Sequence, residues 1–352
     1  MFASVIIPTL NRSRLLDRTL FSLSRQITNQ IFEVIIVDNG SNDNTREIVK
    51  RYENTIANLL YIYDNRPGLL VGRHIGAVKA TGNILCFIDD DVIIPPYWIQ
   101  GVVDVFETNN DICLATGNNY PFYESAPPAW LHHMWRQHGN DGKFLYQLSL
   151  LDFGSKRLLV DPVFVWGLNY HIRKEVFFDV GGFHPDILPT DFIYFIGDGE
   201  TGIAAKIKEK NHKTAFDPRI SLYHAVPTER LAKDYFIRRS YIEGMMNAYT
   251  DMRKGKYTEN KSKMWSFIKK QKLILKKSLR YVKHFSMNLS DNEFNKFIYK
   301  MIISHIKGYE NYTKNLEGNS LLMQYVKEVH YLDIDKIASK YYIASSNSKW
   351  NT

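Results

Sequence analysis

The chain has 352 residues and a mass of 41.1 kDa, room for two average domains or for one large α/β domain with an appendage. Its composition, 45% hydrophobic, 23% charged and 14% aromatic with 20 glycines and 12 prolines, excludes a disordered, collagenous or disulfide-stapled chain. The net charge of +8 hides a split: residues 1–227 carry 21 basic and 25 acidic groups, residues 228–352 carry 24 and 12, and residues 253–283 alone hold 12 Lys or Arg against one acid, Glu259.

Ser4-Val-Ile-Ile7 reads as a short buried strand stopped by Pro8, and Leu16, Leu20 and Leu23 mark one face of the helix after it. Val34-Ile-Ile-Val37 predicts a second strand, followed by a polar turn from Asp38 to Asn44 and a helix with Ile48, Val49 and Tyr52 inward. Leu59–Tyr63 predicts a third strand, and Gly72 to Ala80 a helix of small residues able to lie close to a sheet. Ile84-Leu-Cys-Phe-Ile88 predicts a fourth strand, ending in Asp89-Asp90-Asp91. Apolar strands separated by helices imply a mainly parallel sheet with helices on both faces. Ligands then bind outside the carboxyl ends of the strands, where Asp38 and Asp89 to Asp91 fall.

Residues 120–170 read as irregular and aromatic, with 11 Phe, Trp or Tyr in 51 positions. Strand and helix return from about 171 to 226, and the rest is helical, Lys/Tyr-rich and basic to about 345. The expected organisation is an α/β catalytic domain over 1–227 and a basic helical region over 228–352. Cys86 and Cys113 sit in apolar settings that predict reduced thiols. No run approaches the roughly 18 apolar residues of a membrane span, and the chain opens directly into a strand with no signal peptide. A cytoplasmic location is the expectation.

Three adjacent carboxylates repel one another, so Asp89, Asp90 and Asp91 imply a compensating cation, and hard oxygen ligands suit Mg²⁺ or Mn²⁺ shared with substrate phosphates. A solvated acidic turn is the bland alternative. Along an extended chain Asp89 and Asp91 point to one side and Asp90 to the other, so Asp89 and Asp91 are expected to share a ligand. Asn42 to Thr45 are read as turn and cap residues, which leaves Asp38 at the strand end for a nucleobase or ribose. Neither a Walker A sequence nor Gly-x-Gly-x-x-Gly occurs, against a P-loop ATPase or a dinucleotide oxidoreductase. Gly68, Gly72 and Gly76 read as helix packing, and Arg73 either neutralises a diphosphate or makes a surface salt bridge. Asp198 and Glu200 precede a helix, whose dipole favours acids without any catalysis; the functional reading is a general base at a cleft edge. His224 is either structural or a metal ligand. His132, His133 and His138 suit a metal less well than packing or a binding surface, because tryptophans surround them.

Taken in order, Val5-Ile-Ile-Pro-Thr-Leu-Asn-Arg12, Val37-Asp-Asn-Gly-Ser-Asn-Asp-Asn-Thr45 and Phe87-Ile-Asp-Asp-Asp-Val92 resemble the family 2 glycosyltransferases of GT-A fold. Asn65-Arg-Pro-Gly68 through Gly82, Trp166-Gly-Leu-Asn169 with Val180-Gly-Gly-Phe183, Gly197-Asp-Gly-Glu200 and Tyr223-His224 extend the resemblance to about residue 248. The resemblance implies transfer of a sugar from a nucleotide diphosphate sugar, with UDP the favoured nucleotide, to a hydroxyl of a cell-surface glycan or a lipid-linked precursor, with inversion. It implies that Pro8, Thr9 and Asp38 hold the base and that Asp89, with Asp90 and Arg73, meets the rest of the nucleotide sugar. Asp91, with His224, would hold Mn²⁺ or Mg²⁺. The family's Glu-Asp motif is spelled Gly-Asp-Gly-Glu here, and alignment on the following helix makes Glu200 the base, with Asp198 the alternative. Trp130, Trp135, Trp166 and Asn169 are the expected acceptor contacts, Trp130 and Trp135 on a mobile lid; filling the core is the competing reading for the aromatics.

The segment 253–283 reads as a basic amphipathic helix for an anionic membrane surface, or as a solvated helical face; nucleic acid is disfavoured for want of a motif. Two other classes stand beside the transferase: a sugar-1-phosphate nucleotidyltransferase, against which the missing Gly-rich basic loop after Ile7 counts, and a non-catalytic nucleotide-sugar-binding scaffold.

Overall fold

The computed structural model describes residues 2–66, 68–136, 142–185, 196–255, 292–317, 319–328 and 330–342. The first half runs β1 (Ala3–Thr9), α1 (Ser13–Leu23), β2 (Phe32–Asp38), α2 (Thr45–Arg51), β3 (Leu59–Tyr63), α3 (Leu69–Lys79), β4 (Ile84–Ile88), β5 (Val92–Ile93), α4 (Trp98–Thr108), β6 (Ile112–Thr116) and β7 (Asn119–Tyr123). It continues through α5 (Ala129–Met134), β8 (Lys143–Leu145), β9 (Leu150–Asp152), β10 (Leu158–Leu159), β11 (Asn169–Arg173), α6 (Lys174–Asp179), α7 (Glu200–Glu209), β12 (Lys213–Phe216), β13 (Leu222–Val226) and α8 (Lys233–Arg253). Helices Asn292–Leu316 and Ser320–Lys327 follow. Eight strands form the main sheet in the order β10-β12-β6-β11-β4-β1-β2-β3, and five form a second sheet, β5-β13-β7-β9-β8. In the main sheet β4, β1, β2 and β3 are parallel, with β11 inserted antiparallel beside β4.

Every residue of β1 and β4 is buried, as expected of strands covered on both faces. The glycines of α3 let it lie against the sheet. A Cβ at Gly76 would stand 2.3 Å from Ile6 Cγ2, and one at Gly72 would stand 2.4 Å from Asn39 Oδ1. This close approach buries Arg73 and His74, which follow Gly72 on the same turn.

The helical tail shares its core with the sheet. One cluster joins Ile6, Phe87 and Phe177 to Tyr249 of α8, Tyr312 and Leu316, and on to Tyr325, Tyr331 and Ile337. The boundary drawn at 227/228 therefore separates elements but not cores. Helix Asn292–Leu316 touches α8 backbone to backbone, since a Cβ at Gly308 would lie 1.9 Å from the Tyr241 carbonyl oxygen. All but the first three residues of the basic segment 253–283 lie outside the described residues. Among those described, no helix is long and apolar enough to cross a membrane. Cys86 and Cys113 are both buried free thiols.

Two histidines carry a pH signature. His74 Nδ1 donates to the Tyr331 carbonyl at 2.9 Å and Nε2 accepts from Phe183 N–H at 2.9 Å, so its neutral form is already saturated. His171 is fully buried under Trp98, with Nε2 donating to Asn169 Oδ1 at 2.8 Å. Burial pulls both rings down to about 3. Below about pH 6.5 the unfolded chain takes up protons that the fold refuses, so stability falls from there toward pH 3 by about 1.4 kcal/mol per pH unit per ring. Thermal unfolding at about pH 7.5 and about pH 5 is expected to show a lower Tm in acid, the two rings outweighing Asp90, whose raised carboxyl works in the opposite sense; a higher Tm in acid would contradict this.

Candidate active site

Strand β4 ends at Ile88, so Asp89, Asp90 and Asp91 lie in the turn that leads to β5 rather than in extended chain. The alternation expected of them therefore does not apply, and the sharing is different. Asp90 and Asp91 share one cation, Arg12, whose Nη1 lies 2.5 Å from Asp90 Oδ1 and Nη2 2.6 Å from Asp91 Oδ2. Asp90 Oδ2 also accepts from Thr9 Oγ1 at 2.7 Å. Asp89 turns the other way, to Arg73 Nη2 at 3.2 Å, and keeps 31% of its side chain exposed.

Arg73 joins the two ends of the site. Its guanidinium is buried above the Phe183 ring at 5.1 Å, with Asp89 on one side and Glu200 Oε2 3.9 Å away on the other. Glu200 is the first residue of α7, and its Oε1 accepts from Gly167 N–H at 2.7 Å. Gly167 has no room for a side chain, since a Cβ there would stand 2.0 Å from Arg73 Nη2. Glu200 keeps 22% exposure while Arg73 keeps 3%. Arg73 thus lacks the surface that a diphosphate ligand needs, contrary to expectation. It positions two carboxylates that do keep solvent access.

Asp91 lies on the second half of the site. Its Oδ2 faces His224 Nε2 at 3.4 Å and Arg230 Nη1 at 3.4 Å, while its buried Oδ1 has no partner. His224 Nδ1 bonds the Leu148 carbonyl at 2.8 Å, and Nε2 lies 3.2 Å from Arg230 Nη1. A carbonyl only accepts and a guanidinium only donates, so Nδ1 carries the hydrogen and Nε2 presents a lone pair. Burial alone would push Asp91 up, but the positive charges of Arg12 and Arg230 beside it hold this carboxyl well below the usual range. Asp90 is pushed up to about 7 by burial, with Asp91 adding to the push against Arg12 and Thr9.

These residues fit a divalent cation in one respect. An unpartnered buried carboxylate oxygen and an imidazole lone pair fixed by a backbone carbonyl are the donors such a cation takes. Among the described residues no group of three or more His, Cys, Asp or Glu side chains converges. That suits an ion completing its shell with substrate phosphates rather than a closed protein cage.

The remaining predicted residues fall into place less simply. Asp38 is 1% exposed, with Oδ1 accepting from Ser41 N–H and Oδ2 from Tyr61 Oη, both at 2.7 Å. It holds the turn together with Asp43, whose Oδ1 accepts from Thr45 N–H at 3.0 Å as expected of Asn42 to Thr45, and it offers no surface to a base. Pro8 packs under α3 and Thr9 is spent on Asp90. Asp198 is buried, with Oδ1 on His184 Nδ1 at 2.7 Å and Oδ2 on Thr250 Oγ1 at 2.7 Å. Both its oxygens are engaged there, one of them by Thr250 of α8, which weighs against it as the alternative base.

On the acceptor side, Asn169 is fully buried and donates to Asn119 Oδ1 and the Ile220 carbonyl; it joins the two sheets and cannot reach an acceptor. Trp130 stands edge-on to Phe236 at 5.1 Å and Phe297 at 5.0 Å. This docks α5 onto the long helices, contrary to a free lid. Trp135 lies under Lys143 Nζ at 4.5 Å, and Trp166 donates from Nε1 to the Val163 carbonyl at 3.0 Å. His133 packs on Phe294, and His138 lies outside the described residues. Arg12 and Arg230 are the site residues that sequence reasoning missed. Arg12 stood inside a quoted motif without a role, and nothing local marked Arg230.

Comparison with known proteins gives a family for the first part of the chain. Residues 4–160 match the family described as glycosyl transferase family 2. They form a glycosyltransferase family 2 domain. The match holds β1 to β10, and with them Arg12, Arg73 and Asp89 to Asp91. A validoxylamine A glucosyltransferase of Streptomyces hygroscopicus subsp. jinggangensis is 32% identical over 199 residues, 52% of this chain and 47% of that protein. Glycosyltransferase AglE of Haloferax volcanii is 33% identical over 186 residues, covering 52% and 56%. A glucosyl-dolichyl phosphate glucuronosyltransferase of the same organism is 22% identical over 255 residues, covering 72% and 78%. The chain spans about half the length of the first of these relatives. Among solved structures, the mannosyltransferase PcManGT of Pyrobaculum calidifontis, in complex with GDP-Man and Mn²⁺, aligns over 99% of this chain and 87% of its own. The TM-score is 0.51 at 16% identity, a likeness that shows the GT-A fold around the family 2 domain.

Proposed function

We propose that the protein is an inverting glycosyltransferase that moves a sugar from a nucleotide diphosphate sugar to an acceptor hydroxyl, with Glu200 as general base. One observation carries the reading: Glu200 and Asp89, more than a hundred residues apart in sequence, meet on either side of the buried Arg73 guanidinium, each with part of its side chain exposed. Glu200 keeps solvent access, an acceptor-only oxygen and a fixed orientation from Gly167, which is what a base needs to take a proton from an incoming hydroxyl. Attack from the Glu200 side, opposite the leaving group, inverts the anomeric carbon.

Departure of the nucleoside diphosphate builds negative charge beside Asp91. A divalent cation held by Asp91 and His224 supplies charge stabilisation there when bound. Arg12 fixes Asp90 and Asp91 relative to one another, and Thr9 orients Asp90 from below. Leu148 locks the His224 ring in the tautomer with Nε2 free. Asp89 remains exposed for the ribose.

UDP is the favoured donor nucleotide, and the acceptor class is a cell-surface glycan or its lipid-linked precursor. The relatives of Haloferax volcanii and Streptomyces support sugar transfer as the chemistry, and the glucosyl-dolichyl phosphate relative supports a lipid-linked acceptor. Docking of the segment 253–283 to an anionic membrane would suit such an acceptor. The experiment is release of nucleoside diphosphate from a panel of UDP-, dTDP- and GDP-sugars with Mn²⁺ or Mg²⁺.

A further inference from the structure

Arg230 stands where a cation belongs. It lies on the turn Thr228–Leu231, just past Pro227 and the last strand of the second sheet. Its Nη1 reaches both His224 Nε2, at 3.2 Å, and Asp91 Oδ2, at 3.4 Å. Without a positive charge there, the imidazole lone pair would face a carboxylate oxygen at 3.4 Å, a repulsive contact in a buried site. Arg230 relieves it as a metal ion would.

The two cannot coexist in that place. An imidazole nitrogen has one in-plane lone pair, and a guanidinium that accepts nothing can only compete for it. Arg12 is fixed on two carboxylates at 2.5 and 2.6 Å, whereas Arg230 is held by two longer contacts, one of them to an imidazole nitrogen. Arg230 is the one that yields. It lines a cavity of about 420 Å³ together with Arg12, Arg14, Asp43, Glu124 and Glu229. There Glu124 is engaged by Arg14 and Arg18, and Asp43 by Ser13 and Thr45. A freed Arg230 thus enters a space where Glu124 and Asp43 already have partners and Glu229 is its nearest acid in sequence.

Resting on the reading of Asp91 and His224 as the cation site, we infer that Arg230 is a switch arginine. It occupies that site while the cleft is empty and turns to the diphosphate of the donor when the cation arrives. Cation and nucleotide then bind cooperatively, because each removes a cost of binding the other: the cation frees the guanidinium, and the diphosphate gives it a partner.

Mn²⁺ titration followed by the spectrum of the free ion, without nucleotide, tests the first half; UDP and GDP titration with Mn²⁺ present tests the second. Arg230→Ala is expected to bind Mn²⁺ alone about three- to tenfold more tightly, and to bind the preferred nucleoside diphosphate about tenfold more weakly. Arg230→Lys, a point charge without the planar fork, is expected to tighten Mn²⁺ similarly and to recover part of the nucleotide affinity. An Arg230→Ala protein of unchanged Tm whose Mn²⁺ affinity is unchanged or weaker, or whose nucleotide affinity is unchanged, overturns the inference. Asp91→Asn separates the two levels. If it abolishes Mn²⁺ binding while Arg230→Ala fails to tighten it, only the switch falls; if it leaves Mn²⁺ binding intact, the cation site falls and the switch with it.

Discussion

Glu200→Gln is expected to lower kcat by roughly 10²–10⁴-fold, the contribution of a positioned general base, while donor KM stays nearly unchanged. The amide can still accept the Gly167 N–H that now goes to Oε1, so the side chain stays in place and only its basicity is lost. The loss belongs to the transition state and not to binding, which is why kcat and kcat/KM fall together. Steady-state kinetics with a saturating acceptor give the answer. A variant with near wild-type kcat places the base elsewhere.

Asp198→Ala has the opposite signature. The carboxylate is buried beneath α8, where it holds His184 and Thr250 at once. Its removal leaves a buried imidazole N–H and a hydroxyl without their acceptor, in a place closed to water. Leaving a buried donor without its acceptor costs about 1–3 kcal/mol for each group, a large share of the total stability of a domain. Burial raises the Asp198 carboxyl, but His184 and Thr250 outweigh it and hold it below the usual range. Stability from this group is therefore present above the ordinary carboxylate pKa and is lost as pH falls through the folded one. Denaturant unfolding at neutral pH is the check, with activity per folded molecule largely retained. A variant of unchanged stability that has lost kcat would return Asp198 to the chemistry.

The strand–helix order of the first ninety residues was legible because both faces of the main sheet are covered, so its strands are continuous apolar runs. The acid triplet stood out for the same reason, sitting directly at the end of such a run. Extending the strand rule past Ile88 failed, because alternation ends with the hydrogen-bond ladder; the turn gives Asp90 and Asp91 to Arg12 and leaves Asp89 to Arg73. Local sequence also could not say that Asp38 joins Asp43 in holding the turn after β2, since either carboxylate can accept from the backbone there. Arg12 and Arg230 were missed because an arginine is usually a solvated surface charge, and only the fold brings them to Asp91. The tail was read by its charge, yet its tyrosines decide its packing: Tyr249, Tyr312 and Tyr331 are buried against the sheet and the helices around it. Charge pattern reports the surface of a helix; the aromatic face beneath it was the signal to weigh.

The most direct measurement is nucleoside diphosphate release from the panel of nucleotide sugars with Mn²⁺, comparing the native protein with Asp91→Asn. The predicted result is release from at least one donor by the native protein, lost on chelation of the metal and lost in the folded Asp91→Asn variant. Native protein of normal Tm that releases no nucleotide from any donor, or an Asp91→Asn variant that releases it at the native rate, would contradict a glycosyl-transfer site built on Asp91.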